Sequence, residues 1–354
     1  MSGGVDSSTA AYLLKSQGHE VVGLSMQMYD NLTNADSTYG GCCTIDDLAD
    51  ARRVAWKLEI PHFTLNLEAN FHEKVIAPFV KSYLSGMTPS PCVLCNTHVK
   101  FDLFHQKAQA IGADKIATGH YARITRGRDG RFELRKARDL AKDQSYFLFE
   151  LSQQQLAEAL FPLGELTKPE VRIIAAEGGL PVARKKESYE ICFVPQKDGY
   201  ASIVERESGI ARGEAAGEIV DVDGNVVGQH DGYYQFTIGQ RRGLQVGGSD
   251  ERTYVLDVNP FTKRVTIGPA SALQRSELIA ERVHCISGTS PTAPVEVQAR
   301  VRSRAADVAA TVTPIGGDRA RVQFAHKLRA VAPGQAVVFY DGDLCLGGGW
   351  IARD

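Results

Sequence analysis

The first stretch with the residue types of a binding site holds two glycines among serines, and an apolar helical pattern follows it directly. Residues 2–8 read Ser-Gly-Gly-Val-Asp-Ser-Ser. Glycines let backbone N–H groups approach an anion, serine hydroxyls add donors, and the amino end of a helix favours negative charge. The pattern predicts a phosphate-binding loop, distinct from the Walker loop because no Gly-Lys-Ser/Thr follows. The alternative is a Gly-Ser turn that caps an ordinary helix. The predicted ligands are Ser2, Gly3, Gly4, Val5, Asp6, Ser7 and Ser8, with Asp6 as a magnesium or pyrophosphate-positioning group.

A second reactive pattern is the Cys-x-x-Cys pair in Pro89-Ser-Pro-Cys-Val-Leu-Cys-Asn96. A structural zinc site needs four ligands, and the adjacent Cys42 and Cys43 have poor geometry for completing one. A redox pair would open a helix in a thioredoxin-like unit. The prolines before the pair and the phosphate loop argue against that reading.

A third candidate is Cys192, which follows three basic residues at 184–186. A nearby cation stabilises the reactive thiolate form. The flanking apolar residues Ile191 and Phe193 favour a buried, unreactive cysteine when this window is taken alone. Cys285 and Cys345 are interpreted as core residues. Cys42 and Cys43 are left as unassigned loop residues.

The elements that must position these groups alternate between helix and strand over the first 200 residues. Helices are predicted at 7–16, 46–58, 71–84 and 100–111, and strands at 19–28, 60–67 and from 115. This alternation predicts an α/β fold with a doubly wound parallel sheet. Ligands of such sheets bind beyond the carboxyl ends of the strands. Met26, Gly119 and the phosphate loop should lie on that rim.

The rest of the chain is rich in strands. Glycines and short alternating runs from about 213 to 268 predict a small β-rich unit. Strands are predicted at 295–304, 309–314, 320–324, 336–340 and 345–351, and their spacing suggests a small antiparallel barrel. The expected domains are 1–200, 201–272 and 273–354.

The composition is ordinary for a globular protein. The 354 residues are 43% hydrophobic and 23% charged, with a net charge of −2. No apolar run approaches the roughly 20 residues of a membrane span, and no signal peptide precedes the phosphate loop. Seven cysteines without a disulfide framework suggest a reducing cytoplasm. A strand normally precedes such a loop, so we expect either that it is absent or that the start was assigned too late.

Two basic stretches are candidates for contact with a polyanion. Residues 115–143 hold nine Lys or Arg against four Asp or Glu, and residues 300–329 hold seven against two. Arg300, Arg302 and Arg304 alternate, so one face of a strand would carry all three. Such stripes suit phosphate backbones. Ordinary solvated charge is an equally good reading of either stretch alone.

Beyond these patterns, the chain resembles the bacterial tRNA-specific 2-thiouridylases, a family of PP-loop ATP pyrophosphatases. The matching blocks are SGGVDSS at 2–8, PCVLCN at 91–96, TGHYAR at 118–123, KDQSYFL at 142–148, SYEICF at 188–193 and FTIGQRRGL at 236–244. They run in order over most of the chain. The resemblance implies a PP-loop catalytic domain, a small central domain and a C-terminal tRNA-binding barrel.

The resemblance also implies roles for single residues. Cys95 matches the family's nucleophile and Cys192 the cysteine that carries a persulfide. Met26 and Gly119 match nucleotide contacts. The residues implied or expected to contact tRNA are His120, Lys142, Asp143, Gln144, Arg302, Ser303 and Gln335.

The implied reaction puts sulfur on the wobble uridine of tRNAs for Lys, Glu and Gln. ATP and Mg²⁺ are the implied cofactors, and a cysteine desulfurase or sulfur relay protein is the implied persulfide donor. Cys92 stands where some relatives have aspartate, and Arg302-Ser303-Arg304 stands where relatives often have Arg-Tyr-Arg. Some related thiolases hold an iron–sulfur cluster on three cysteines, which here would be Cys92, Cys95 and Cys192.

Two other functions fit parts of the pattern. One is a different PP-loop ligase or amidotransferase acting on a small molecule, which needs no reactive cysteine pair. The other is an RNA-binding module with a vestigial nucleotide site, which would bind tRNA without releasing pyrophosphate.

Overall fold

A computed structural model describes residues 1–29, 44–187, 191–195, 197–211, 213–244, 246 and 252–353. The unassigned Cys42 and Cys43 lie outside these ranges, as do three residues of the block at 188–193.

The first 208 residues contain nine α-helices and six short strands within the described ranges. The helices are α1 (Val5–Ser16), α2 (Ile45–Lys57), α3 (Glu68–Phe71), α4 (Ala77–Leu84), α5 (Pro91–Leu94), α6 (Phe104–Ala110), α7 (Gln153–Glu158), α8 (Lys168–Glu177) and α9 (Gly199–Ser208). The strands are β1 (Gly23–Gln27), β2 (His62–Asn66), β3 (Ile116–Ala117), β4 (Ala122–Arg126), β5 (Phe132–Lys136) and β6 (Ala159–Leu160).

Parallel pairing confirms the predicted α/β class. Strand β1 pairs with β2 in register Gly23 to His62, and β3 pairs with β6 in register Ile116 to Ala159. Helix α2 lies between β1 and β2 in the chain, as expected when a helix joins two parallel strands. The carboxyl end of β1 carries Met26, on the side predicted for ligands.

The cysteine-bearing helix differs from its predicted start near Lys100. It begins at Pro91 and continues through a π-helical stretch, Cys95–Leu103, into α6. Proline is compatible with the first helical position, because its missing N–H would have no helical partner there. The predicted start at Lys100 is therefore too late, and the cysteine pair lies on the helix itself.

The central β-rich unit is a four-stranded sheet. It consists of β7 (Gly217–Val220), β8 (Val226–His230), β9 (Thr253–Asn259) and β10 (Arg264–Pro269). The strand order is β8-β7-β10-β9, with β10 parallel to β7 and the other pairs antiparallel.

The C-terminal part is a closed antiparallel barrel, as predicted. Its strands are β11 (Gln274–Cys285), β12 (Val295–Arg300), β13 (Val308–Gly316), β14 (Arg319–Arg329), β15 (Ala336–Asp341) and β16 (Leu344–Ile351). They follow the order β11-β14-β13-β12-β15-β16, and β16 pairs back onto β11. The first and longest of them, β11, had no specific prediction.

The hairpin formed by β4 and β5 is an unexpected addition to this sheet. Leu134 and Arg135 of β5 pair with Cys345 and Leu344 of β16. The hairpin belongs to the catalytic half by sequence and to the barrel sheet by hydrogen bonding.

Apolar clusters join the three parts. One combines Phe79 and Cys95 with central residues such as Tyr234 and Val265. Another joins Phe149 to the barrel residues Tyr340 and Trp350. Contiguous apolar burial across these borders makes the parts one packed body. Among the described helices, none has the length and apolar character needed to cross a membrane.

Candidate active site

The predicted phosphate loop is a tight turn that leads into α1. Gly4 is the N-cap of this helix and has an extended backbone. Gly3 has φ +69°, and a Cβ built there would lie 2.1 Å from the carbonyl oxygen of Asp47. Only glycine fits this contact between the loop and α2.

Serine hydroxyls brace the loop from within. The backbone N–H of Ser2 donates to Ser7 Oγ at 3.0 Å, and the two hydroxyls lie 3.1 Å apart. Ser8 Oγ donates to the carbonyl of Gly4 at 2.8 Å. These hydrogen bonds hold the loop in a fixed shape at the start of α1. The first N–H groups of the helix lie there, where they can donate to an anion.

Asp6, in the first turn of α1, receives three hydrogen bonds. Lys168 Nζ donates to its two carboxylate oxygens at 2.7 and 2.8 Å, and Tyr121 Oη donates at 2.8 Å. The Lys168 side chain is only 9% exposed. Burial, reinforced by the charge of Asp6, raises the pKa of Tyr121. Tyr121 therefore stays a neutral donor at physiological pH.

Three basic side chains contact the carboxylate of Glu187, next to the Asp6–Lys168 ion pair. Its carboxylate lies 2.6 Å from Lys142 Nζ, 3.0 Å from Lys168 Nζ and 3.6 Å from the Arg172 guanidinium. Lys168 is thus shared between Asp6 of the loop and Glu187.

The two predicted nucleotide contacts lie at this rim. A Cβ on Gly119 would come within 2.7 Å of the backbone of Asp6 and Ser7, so Gly119 packs directly on the start of α1. Met26 is partly buried near the end of β1 and packs on the apolar cluster that contains Cys95.

The three candidate thiols differ in exposure. Cys92 is exposed and Cys95, one helical turn later, is buried. Cys192 is partly buried and packs on the same apolar cluster as Cys95. The structure thus brings Cys95 and Cys192 to one hydrophobic region, although they are far apart in sequence.

Aromatic packing holds the Cys192 segment against that region. The ring of Phe193 meets Phe71 and Phe79 edge to face, at centroid distances of 5.6 and 5.0 Å. Tyr29 Oη donates to the carbonyl of Cys192 at 3.1 Å. Burial of large rings is a strong anchor for a chain segment.

Possible metal ligands are not clustered in the part of the chain that the structure describes. In the described ranges, which include Cys92, Cys95 and Cys192, no three His, Cys, Asp or Glu side chains are grouped to hold a metal ion. An iron–sulfur cluster on these thiols stays a prediction. A magnesium ion would take most of its ligands from ATP phosphates, with Asp6 as the carboxylate at the loop.

Comparison with known families decides between the alternatives. A family model described as "tRNA methyl transferase HUP domain" matches residues 1–196. A "PRC-barrel domain" and an "Aminomethyltransferase beta-barrel domain" match residues 210–269 and 275–351. A relative from Geotalea uraniireducens, "tRNA-specific 2-thiouridylase MnmA", is 51% identical over 99% of this chain and 93% of its own. The chain belongs to the tRNA-specific 2-thiouridylase family.

Other members of the 2-thiouridylase family match over the same share of this chain. The enzymes of Geobacter metallireducens and Solibacter usitatus are 49% and 48% identical, over 99% of this chain and 95% and 97% of theirs. A solved NMN synthetase from Francisella tularensis aligns with 59% of this chain and 75% of its own, with 18% identity and a TM-score of 0.32. That likeness is too low to carry any conclusion.

Among the tRNA contacts implied by the 2-thiouridylase family, His120 is buried. Its ring packs between Phe101 and Phe161, and its Nδ1 lies 2.7 Å from Thr118 Oγ1. Burial, with a smaller effect of Lys100, holds its pKa well below the ordinary value. In this structure His120 is a neutral core residue.

The run at 142–144 is built into the protein. Asp143, 1% exposed, accepts from Arg300 at 2.9 Å and from the backbone N–H groups of Ala137 and Ser145. Gln144 exchanges hydrogen bonds with the backbone of Tyr121 at 2.9 and 2.8 Å. Lys142 pairs with Glu187, as described above. Their contacts with tRNA stay predictions.

The predicted arginine stripe does not form. Strand β12 ends at Arg300, and the next residues form a turn, so the alternation over 300–304 is not strand alternation. Arg300, whose side chain is 11% exposed, lies between Asp143 and Asp307. Arg302 is exposed and donates to the carbonyl groups of Arg329 and Ala330, while Ser303 is half-buried in the turn.

Gln335 ties the barrel to the cysteine helix. Its side-chain amide donates to the carbonyls of Thr88 and Pro89 at 3.1 and 2.8 Å. The Thr88 N–H in turn donates to the carbonyl of Pro333. The barrel thereby holds the segment that leads into α5.

Much of the basic stretch at 115–143 is neutralised internally. Arg123 and Arg135 share Asp343, Lys136 binds Asp307, and Arg138 binds Glu170. Local charge counts overestimated the charge available for a polyanion.

Sequence reasoning missed Tyr121, Lys168, Glu187 and the loop-bracing Lys185. Lys185 Nζ contacts the carbonyl of Gly3 at 3.1 Å and Asp47 at 2.6 Å. The Thr167-Lys-Pro-Glu170 signature of a helix start was readable as a capping box, but nothing local shows which element it faces.

Proposed function

We propose that this protein is a tRNA 2-thiouridine synthase, which uses ATP to replace the C2 oxygen of the wobble uridine by sulfur. The observation that carries the proposal is a pre-shaped phosphate loop in a chain that matches 2-thiouridylases over 99% of its length. A cytoplasmic location is part of this proposal, and none of the described helices has the length and apolar character needed to cross a membrane.

The chemistry requires activation of a poor leaving group. A uracil C2 carbonyl is amide-like, and transfer of AMP to its oxygen makes that oxygen displaceable while pyrophosphate departs. Backbone N–H groups at the start of α1 would stabilise the phosphates, and Mg²⁺ would neutralise their charge. A wobble base in a single-stranded loop can be extruded into such a site.

Sulfur would arrive as a persulfide on Cys192 from a donor protein such as a cysteine desulfurase. Its terminal sulfur attacks C2 and expels AMP while Cys95 breaks the S–S bond, or Cys95 first releases sulfide, which attacks C2. Both routes end with AMP, 2-thiouridine and a Cys95–Cys192 disulfide. Both cysteines pack in the same apolar cluster, which supports this pairing.

The test is formation of AMP that depends on a tRNA with a wobble uridine, together with detection of 2-thiouridine. We expect tRNAs for Lys, Glu and Gln to be substrates. Cys192→Ser and Cys95→Ser should each abolish 2-thiouridine, whereas Cys285→Ser, in the barrel, is the matched control. AMP formation without tRNA would indicate a small-molecule ligase, and tRNA binding without AMP formation would indicate a binding module.

A further inference from the structure

Lys168 is a buried ammonium placed at the phosphate loop without an assigned role. It is 9% exposed, and it contacts Asp6 at 2.7 and 2.8 Å and Glu187 at 3.0 Å. Its Nζ lies 5.6 Å from the centre of the Tyr121 ring. A lysine so enclosed needs anionic partners, and here it has two.

The backbone of Lys168 is fixed, although its side chain is long. Its N–H donates to Asp139 at 2.9 Å, and the Thr167–Glu170 capping box holds the helix start. A four-carbon stem on a fixed backbone can move its charge between neighbouring anions without moving the helix. Three ammonium hydrogens allow more than one acceptor at a time.

The charges around Lys168 suit an incoming polyanion. Lys142, Lys168 and Arg172 surround the carboxylate of Glu187, and Lys168 also reaches the loop through Asp6. A triphosphate bound at the start of α1 would place its negative charge beside Asp6. Phosphate oxygens would then compete with the two carboxylates for the Lys168 ammonium.

We propose that Lys168 binds the outer phosphates of ATP and then the departing pyrophosphate. Asp6 and Glu187 hold its ammonium in position until the nucleotide arrives. The inference rests on the nucleotide site of the proposed function, and it adds the residue that makes this site selective for a polyphosphate over a monophosphate.

Direct binding measurements test the role of Lys168. The probes are α,β-methylene-ATP with Mg²⁺, inorganic pyrophosphate with Mg²⁺, and AMP, measured by calorimetry without tRNA. Lys168→Met should weaken the first two by about 10- to 100-fold, as expected for loss of one charge-assisted hydrogen bond, and leave AMP unchanged. Lys168→Arg should recover most of the affinity. Lys107→Met, an exposed lysine on α6, is the matched control.

A second variant keeps the test decisive should Lys168→Met fail to fold. Glu187→Gln removes the competing carboxylate, so it should tighten pyrophosphate binding by about threefold or more. The gain should disappear in the Lys168→Met, Glu187→Gln double variant. A purely structural Glu187 would give equal or weaker binding.

Two results would overturn the inference. One is a folded Lys168→Met variant that binds pyrophosphate as tightly as the wild type does. The other is a Glu187→Gln variant whose affinity for pyrophosphate is equal to or weaker than that of the wild type. The proposed function is tested separately, by the thiolation assay of the wild-type protein. Absence of 2-thiouridine alongside Lys168-dependent pyrophosphate binding would refute the proposed function and leave the phosphate role of Lys168 intact.

Discussion

At the residue scale, the site depends on close backbone contacts as much as on reactive groups. Gly119 touches the start of α1, and Gly3 touches the carbonyl of Asp47. These contacts explain why glycine is required on both sides of the loop. They also give the loop its shape before any ligand is bound.

Gly119→Ala should distort the loop, because the new Cβ would lie 2.7 Å from the backbone of Asp6 and Ser7. Backbone cannot yield as a flexible side chain can. We expect a cost of about 1–3 kcal/mol and weakening of α,β-methylene-ATP binding by at least about 10-fold, measured by calorimetry. Gly228→Ala on β8, where a Cβ meets ordinary contacts of 3.6 Å or more, is the control. Equal affinity in both variants would refute the close-contact explanation.

The residue scale is also where sequence reading succeeded and failed most clearly. The glycine–serine loop was recognisable because its chemistry is local. Lys168 and Tyr121 reach Asp6 from 162 and 115 residues away, and only the tertiary structure brings them there. His120 and Asp143 lie in recognisable blocks, but a motif does not show whether a side chain faces solvent or core.

At the element scale, α8 is the support of the Lys168 side chain. Its amino end is held by Glu170, which accepts from the Thr167 backbone at 2.6 Å, from the Thr167 hydroxyl and from Arg138. These hydrogen bonds, the backbone one first, lower the pKa of Glu170 from 4.5 to about 2. The ionised form is therefore the one that stabilises the helix start.

Because the folded-state pKa is the lower one, the contribution of Glu170 is complete above pH 4.5 and is lost as the pH falls to about 2. Glu170→Gln should destabilise the protein at neutral pH, and its difference from wild type should shrink across that window. Urea unfolding at successive pH values measures this. Glu177→Gln, exposed at the other end of α8, is the control. A difference independent of pH would contradict the role assigned to the charge.

Elements with strong periodicity or spacing were predictable from sequence, and those defined by long-range pairing were not. The barrel strands alternate and were found with shifted ends. The β4–β5 hairpin has a clear turn, Arg128-Asp-Gly130, yet its assignment to the barrel sheet depends on pairing with residues 344–345. The cysteine helix begins at Pro91, well before the predicted start at Lys100, because proline can open a helix as well as end one.

At the scale of the whole molecule, buried charges join the catalytic half to the barrel. Asp143 binds Arg300, which binds Asp307, which binds Lys136. Two cation–π contacts extend this network. The charged groups of Lys136 and Arg300 lie 4.3 and 4.9 Å from the centre of the Tyr340 ring. Every charge in this set has an opposite partner, as burial requires.

Asp143→Asn should cost about 2 kcal/mol, because it removes one of the two carboxylates that face the largely buried Arg300. Asp343→Asn, whose side chain is 42% exposed beside Arg123 and Arg135, should cost at most about 1 kcal/mol. The free energies of unfolding in urea measure both. Similar losses in the two variants would mean that the network does not join the two halves.

The hairpin of residues 122–136 also bears on how the protein is made. Its partner strand, β16, lies among the last eleven residues of the 354-residue chain. During synthesis the hairpin leaves the ribosome more than 200 residues before the strand that completes its sheet. Until residues 344–345 are made, the edge of β5 that pairs with them is open, so a nascent chain that stalls before β16 needs protection by chaperones.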